Sequence, residues 1–390
     1  MEPMRTIEHG NLVHRCFRCG YCKFPSDYVD FNCPSYKAAA FDTYSSGGRM
    51  WLIRAWLNNE IKTGPRFADI LYSCVACGNC TEQCVYPGFK DHLLDIFEEA
   101  KGELVGEGLI PPTVRDYFKA ITVNGNPYKL PQNERGKWAE GINIEEYSDQ
   151  DYLFYVGCVG SYDEVGMHMA RNVGTVLKES GLSVGILGSG ESCDGNEVKI
   201  LGETGLFLKL AEDNIRQFNE LGVKKIITLD PHAMNTFKKY YPEQGGRYQI
   251  YHYTEILDRL IRDKQIIPVE NRITVTYHDP CYLGRHHHIY KSPRSVLKSI
   301  PGLELVEMRR NGVDAFCCGG GGGNFFTDIN GSGEESPSRV RIREALDTGA
   351  SIVAVACPQC AKMLTDAVKA EEMEGTLVVK DVAEILRESI

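Results

Sequence analysis

Residues 316–324 read FCCGGGGGN. Adjacent cysteines do not readily close a disulfide on each other, because that bond needs Cα atoms about 4.4–6.8 Å apart in a restricted geometry. Both can, however, face one large inorganic body. Outward from this pair, Cys281 sits in HDPCYLGR (278–285), with 35 residues between it and Cys317, and Cys357 and Cys360 sit in ACPQC (356–360), with 38 residues between Cys318 and Cys357. Five thiolates exceed the four ligands of a tetrahedral zinc, and thiolates are the usual ligands of iron–sulfur clusters. Cys281, Cys317, Cys318, Cys357 and Cys360 therefore read as cluster ligands and as the candidate catalytic centre. The bland alternative is five buried structural thiols, since free cysteine is commonly buried.

These cysteines follow short apolar runs. RITVTYHDPC, ELVEMRR and ASIVAVACPQC each suggest a strand, and they match an earlier series, DYLFYVGC, SVGILGS and KKIITLDPHA. Helical patterns lie between them, and DVAEILRES matches HYTEILDRL. Cys158 and Cys281 align with an offset of 123 residues that drifts to about 129 by the last helix. Alternating strands and helices imply parallel or mixed sheets, and self-similarity implies a duplicated unit. Ligands in such sheets sit beyond the carboxyl ends of the strands, where the cysteines fall. The first copy is chemically poorer. It keeps Cys158 and Cys193 but has Ser192 beside the latter, and Asp230-Pro231-His232-Ala233 where the second copy has Cys-Pro-Gln-Cys. It reads as a vestigial site, the sharper alternative being that Asp230, His232 and Cys193 line a substrate or proton path between the halves.

The N-terminal third carries two triplets, Cys16, Cys19, Cys22 in CFRCGYC and Cys74, Cys77, Cys80 in CVACGNC, each with a distant fourth cysteine, Cys33 and Cys84. This is the two-cluster ferredoxin arrangement, in which the fourth cysteine serves the other cluster. One [4Fe–4S] cubane is assigned to Cys16, Cys19, Cys22 and Cys84, and the other to Cys74, Cys77, Cys80 and Cys33. Helices are expected over GGRMWLIRAWLNNEIKTG and on both sides of the Gly/Pro break in DHLLDIFEEAKGELVGEGLIPPTVRDYFKAI. Trp51 and Trp56 read as core rather than as binding groups. Residues 124–150 carry Asn, Pro, Gly and charge without periodicity, and read as a connecting arm.

The chain has 390 residues, 25% of them charged, with a formal net charge of −10. The acidic balance argues against a nucleic-acid footprint. Fifteen cysteines are many, yet the N-terminal stretch has no apolar signal core and no run approaches the ~18 apolar residues of a membrane span. The cysteines read as reduced, intracellular ligands, and the location as cytoplasmic, with any membrane association made through a partner. Gly319–Gly323 lacks the lysine of a phosphate-binding loop, so close approach of backbone to the cluster is the better reading. His286, His287 and His288 read as a solvated loop before metal ligands or proton carriers. His278 and Asp279 read as partners tuning the cluster from behind its ligands. No dinucleotide fingerprint is found, so no bound flavin or nicotinamide is expected.

The doubled triplets, GNPYKLPQNERGKW, HDPCYLGR, FCCGGGGGN and ACPQC together resemble the heterodisulfide reductase family of iron–sulfur oxidoreductases, in its D-type subunit, and the related C-type subunit of glycerol-3-phosphate dehydrogenase. The last three motifs resemble the CCG domain, named for Cys-Cys-Gly. The resemblance implies an α+β fold: a helical ferredoxin-like domain (1–123), a linker (124–150), a degenerate first CCG α/β repeat (151–265) and a complete second repeat (266–390). It also implies one noncubane [4Fe–4S] cluster on Cys281, Cys317, Cys318, Cys357 and Cys360, in addition to two cubanes. The departures at Ser192, Asp230, His232 and Ala233 speak against a second such cluster. The function implied is an electron-transfer component of a multisubunit oxidoreductase. Its partner would be a flavoprotein, a larger reductase or a membrane quinone module. Catalytic heterodisulfide reduction, or the iron–sulfur part of a quinone-linked dehydrogenase, is the alternative.

Overall fold

The computed structural model describes residues 5–390. Two four-stranded sheets carry the C-terminal part. Strands β1 (Tyr152–Tyr155), β2 (Val184–Ile186), β3 (Lys225–Thr228) and β4 (Gln249–His252) form one sheet. Strands β5 (Thr274–Tyr277), β6 (Glu304–Leu305), β7 (Ile352–Val355) and β8 (Val378–Asp381) form the other. The spatial orders are β2-β1-β3-β4 and β6-β5-β7-β8, and every pairing is parallel. The equivalent pairs Leu153↔Ile226 and Val275↔Ile352 give the two sheets matching centres. Duplication and parallel topology are as the sequence implies.

The central strands are apolar on both faces because helices cover both faces. All four residues of β1 and of β7 are buried. The edge strands β4 and β8 are not evident in the sequence. They are short and of mixed polarity, QIYH and VVKD, and run directly into the helices Tyr253–Arg262 and Val382–Arg387, which are evident. An edge strand buries less, so its apolar signal is weak.

The N-terminal part is helical apart from its cysteine loops. The expected helices form at Ser46–Leu57, Leu93–Gly106 and Pro112–Asn124. Trp56 is fully buried and packs near Phe67, as a core residue does. The arm after residue 124 packs firmly, which its composition does not reveal. Trp138 is buried edge-on to Phe154 at 5.7 Å, and Tyr147 N–H donates to Ile186 O at 2.8 Å, extending the first sheet past β2. Among the described residues, no helix is long and apolar enough to cross a membrane.

His252, at the end of β4, is fully buried between the repeats, beside the backbone of Leu229 and Ala356. Burial holds its imidazole down at about 3, so it is neutral in the fold. A depressed value favours the fold above the ordinary value near 6.5, and that advantage is lost as pH falls from 6.5 toward 3. The urea midpoint of the wild type should therefore fall more steeply between pH 7 and 5.5 than that of His252→Gln, by up to about 1.4 kcal/mol per pH unit. Equal slopes would contradict a buried neutral imidazole.

Candidate metal centres

Each cysteine motif follows from local structure. Cys281 opens a short turn of helix just past β5, and Cys357 caps the helix Pro358–Ala370 just past β7. Proline at the first helical position fits both the cap and the missing N–H. Cys158 and Asp230 occupy the same places past β1 and β3. The carboxyl ends of both sheets thus point their chemistry toward the region where the two repeats meet.

Three groups of thiols gather. Cys16, Cys19, Cys22 and Cys84 line one small cavity, closed by Phe89 and Leu93. Cys33, Cys74, Cys77 and Cys80 line a second, with Cys22 on its wall as well. The crossed pairing of each triplet with the distant cysteine is what these cavities hold. Gly47 backs the first cavity, and a Cβ there would lie 3.7 Å from Cys22 Sγ. Burial pushes the Cys22 thiol up to about 12, so it stays protonated until something displaces the proton. Such displacement couples metal loading to proton release.

The third group is the most enclosed. Cys281 Sγ and Cys317 Sγ lie 3.6 Å apart, Cys318 Sγ and Cys360 Sγ 3.3 Å, and Gly319 N–H donates to Cys317 Sγ at 3.3 Å. All five thiols are at most 5% exposed. Around them are polar atoms that the protein itself does not satisfy. Arg285 Nη2, His278 Nε2 and Gln359 Oε1 are buried without a partner. Buried orphan donors are rare and call for an explanation. The rest of the Arg285 side chain is fixed, Nε donating to Cys77 O at 2.7 Å and Nη1 to Ala315 O at 2.6 Å. Arg341 Nε donates to His278 Nδ1 at 3.1 Å, which leaves the proton on Nε2, toward Cys318. Two spare cationic or imidazole donors beside five thiols suit a sulfur-rich anion. The donor set therefore fits an iron–sulfur cluster and exceeds what zinc takes.

The sequence reading misses several of these groups. His286 is half-buried rather than fully solvated: it stacks on Tyr282 at 4.2 Å, its Nε2 sits 2.9 Å from Ala76 O, and desolvation holds its imidazole down at about 3. A run of three histidines beside an arginine looks polar, but the turn after Cys281 lays His286 against the Cys74–Cys80 loop, while His288 stays exposed. His278 lies where the sequence suggests, against Cys318. Asp279 instead pairs with Arg294 at 2.6 Å and accepts from Gly312 N–H at 2.8 Å, positioning the loop ahead of Cys317.

The departures of the first copy gather in one place. Cys158, Cys193, Asp230, His232 and Gln359 line one small space between the repeats. His232 Nδ1 lies 2.6 Å from Glu197 Oε1, its ring stacks on Tyr282 at 3.9 Å, and it groups with Asp230 and Cys357. Against the cost of burial, the Asp230 and Glu197 carboxylates push the imidazole well above its ordinary value.

A doubled cysteine-triplet module ahead of two parallel-sheet repeats with thiols at the strand ends defines an iron–sulfur oxidoreductase of the cysteine-rich-domain class. Residues 12–86 match the 4Fe-4S dicluster domain, and residues 152–238 and 275–365 match the Cysteine-rich domain, CCG. The chain belongs to the family of iron–sulfur oxidoreductases that includes the D-type subunit of heterodisulfide reductase. It is similar to that component of the dihydromethanophenazine:CoB–CoM heterodisulfide reductase of Methanosarcina barkeri, 30% identical over 96% of this chain and 93% of that one. It is 36% identical to the probable iron-sulfur-binding oxidoreductase FadF of Bacillus subtilis and 33% identical to the EtfAB:quinone oxidoreductase of Syntrophomonas wolfei, in each case over 82% of this chain and 46% of the relative. The chain spans about half the length of those two relatives. In fold alone it is similar to a hypothetical protein from Helicobacter pylori, with a TM-score of 0.51, 12% identity and coverage of 88% and 67%. The cofactors are two [4Fe–4S] clusters in the dicluster domain, with a cysteine-rich domain suited to a further, noncubane one.

Proposed function

We propose that this chain is an electron-transfer part of a multisubunit oxidoreductase, linking a partner redox protein to a noncubane cluster at the second cysteine-rich motif through two cubanes. In this reading Cys16, Cys19, Cys22 and Cys84 hold one cubane, and Cys33, Cys74, Cys77 and Cys80 the other. Cys281, Cys317, Cys318, Cys357 and Cys360 hold the noncubane centre. When bound, such clusters supply one-electron carriers whose potentials follow burial, charge and hydrogen bonds to sulfur.

The observation that carries the proposal is the contiguity of the three thiol groups. Cys22 borders both N-terminal cavities, and Cys77, on the second, packs in one buried cluster with Cys281 and Cys317 of the third. Arg285 bridges the same junction through Cys77 O. The first cavity reaches the surface, where Cys19, Phe17, Tyr21 and Val85 are exposed. An exposed apolar rim around an outer carrier suits a docking partner. The names of the relatives make an electron-transferring flavoprotein, a quinone module or a larger reductase reasonable candidates for that partner.

Anaerobic potentiometric titration followed by EPR tests this. Three one-electron centres with mutual broadening of their signals are expected. Signals without magnetic interaction would count against a relay. Turnover of a heterodisulfide by the isolated chain with a reduced dye should stay at background; a clear rate would favour catalytic disulfide reduction at the second motif.

A further inference from the structure

We propose that the outer cysteine loop, residues 16–22, is the docking face for a redox partner whose contact surface is apolar at its centre and acidic around it. The proposal rests on the electron-transfer reading above and adds the place and the chemistry of the contact. One electron crosses per encounter, between the partner's carrier and the outer cubane, and no bond forms or breaks.

The two triplet loops share one backbone conformation. Arg18 (φ +55°) and Ala76 (φ +49°) are left-handed at the same position, as are Gly20 (φ +85°) and Gly78 (φ +76°) two residues on. Each glycine leads into a short helical turn, Tyr21–Lys23 or Asn79–Gln83. Their surroundings differ. The second repeat covers the inner loop, where Val75 and Asn79 are 2% and 1% exposed. Arg285 Nε donates to Cys77 O at 2.7 Å, His286 Nε2 lies 2.9 Å from Ala76 O, and added carbons at Gly321 and Gly322 would strike Val75 O and Cys74 O. In the outer loop the equivalents of Val75 and Asn79 are Phe17 and Tyr21, 66% and 43% exposed. A carbon added at Gly78 would lie 3.4 Å from His286 Nε2, whereas one at Gly20 would meet only the loop's own Lys23. The inner loop therefore shows how a second body sits on such a loop. The outer loop presents the same positions to solvent, filled by the aromatic and arginine side chains that interfaces favour.

Charge sets the partner's sign. Residues 9–26 hold Arg15, Arg18 and Lys23 and no carboxylate, in a chain of net charge −10. Lys23 is paired with Asp42 at 2.8 Å, but Arg15 and Arg18 are exposed. The Arg18 and Arg54 guanidinium groups lie over the Trp51 ring at 5.2 and 4.7 Å, and Trp51 Nε1 donates to Cys16 O at 3.0 Å. The indole thus fixes two cations beside the loop without neutralising them. Phe17 packs on Tyr86 at 5.0 Å, and with the exposed Val85 they form the apolar centre. A patch opposite in sign to the rest of the molecule orients an acidic partner onto itself.

The test uses the full chain with its clusters, reduced anaerobically and mixed in stopped flow with excess oxidised plastocyanin, an acidic copper protein, or oxidised cytochrome c, a basic haem protein. Each takes one electron. The second-order rate with plastocyanin should fall as salt is raised, although the two net charges repel. In the double variant Arg15→Glu, Arg18→Glu that rate should drop about tenfold at low salt and rise with salt, while the rate with cytochrome c does not drop. Phe17→Ser should slow plastocyanin without changing its salt slope. Should the double variant lose iron, Arg54→Glu, outside the loop, carries the same charge test. A wild-type rate that rises with salt, or charge variants that leave it unchanged, would overturn the proposal. So would a wild-type dimer in light scattering that the charge variants dissociate, which would put a second copy on this face. EPR on the same wild-type samples reads the three centres, so missing or isolated centres, which defeat the functional reading, are seen separately from the salt dependence.

Discussion

Cys318→Ser should lower iron from about twelve to about eight atoms per chain and remove one set of EPR signals, leaving both cubanes intact. The residue is chosen on geometry. Cys318 is 3% exposed, its sulfur faces Cys360 at 3.3 Å, and His278 and Arg341 stand behind it. None of these touches the N-terminal cavities. Serine is nearly isosteric, so no cavity opens, but its oxygen is a harder and poorer ligand for iron–sulfur chemistry than thiolate. The same change at Cys317 is a less clean experiment, because Cys317 packs in one buried cluster with Cys77 and would disturb the neighbouring cubane. Comparing the two variants measures the coupling between the sites: Cys317→Ser should alter the second cubane's potential by tens of millivolts or more, on the order of a tenfold change per ~59 mV for one electron. Identical cubane spectra in both variants would sink the idea that the third thiol group lies at the end of a relay. Iron near zero in Cys318→Ser would sink the division into separate centres.

The cysteines are legible in the sequence because ligand chemistry leaves a spacing that needs no tertiary context. The triplets Cys16–Cys22 and Cys74–Cys80 are local runs, and the fold sets Cys84 beside the first and Cys33 beside the second. The duplicated sheets are legible because central strands such as YLFY and IVAV are apolar throughout. What the sequence hides is the long-range cation and polar framework. Arg285, Arg341 and Arg135 are each buried, and each acts across at least 23 residues: Arg285 on Cys77, Arg341 on His278, Arg135 on Cys158. An arginine in a polar stretch reads as solvated, and no periodicity marks one that folds inward. The pairing of Glu197 with His232 escapes for the same reason, although His232 itself stands out as the substitute for a missing cysteine.

Gly322→Ala should be severely disruptive although alanine adds one carbon. Gly322 has φ +63°, a conformation that costs a residue with a side chain about 1–2 kcal/mol. A Cβ there would lie 2.3 Å from Cys74 O and 2.8 Å from Val75 Cα, and both are backbone atoms that no rotamer can move aside. Gly321 has the same problem, its Cβ falling 2.5 Å from Val75 O. The glycine run is therefore where the second repeat lies directly on the loop carrying Cys74, Cys77 and Cys80, and this, rather than a phosphate cradle, is why side chains are missing. Overpacking adds to the strain, so the combined cost is about 3 kcal/mol or more. Gly349→Ala is the control. Its φ is +73°, yet nothing lies within 4 Å of the added carbon, so only the backbone penalty applies. Gly322→Ala should lower the urea midpoint several times further than Gly349→Ala and weaken the magnetic interaction between the second cubane and the third centre. Equal midpoints would mean that the two modules are not in direct contact here, and the relay would then lose the junction on which it depends.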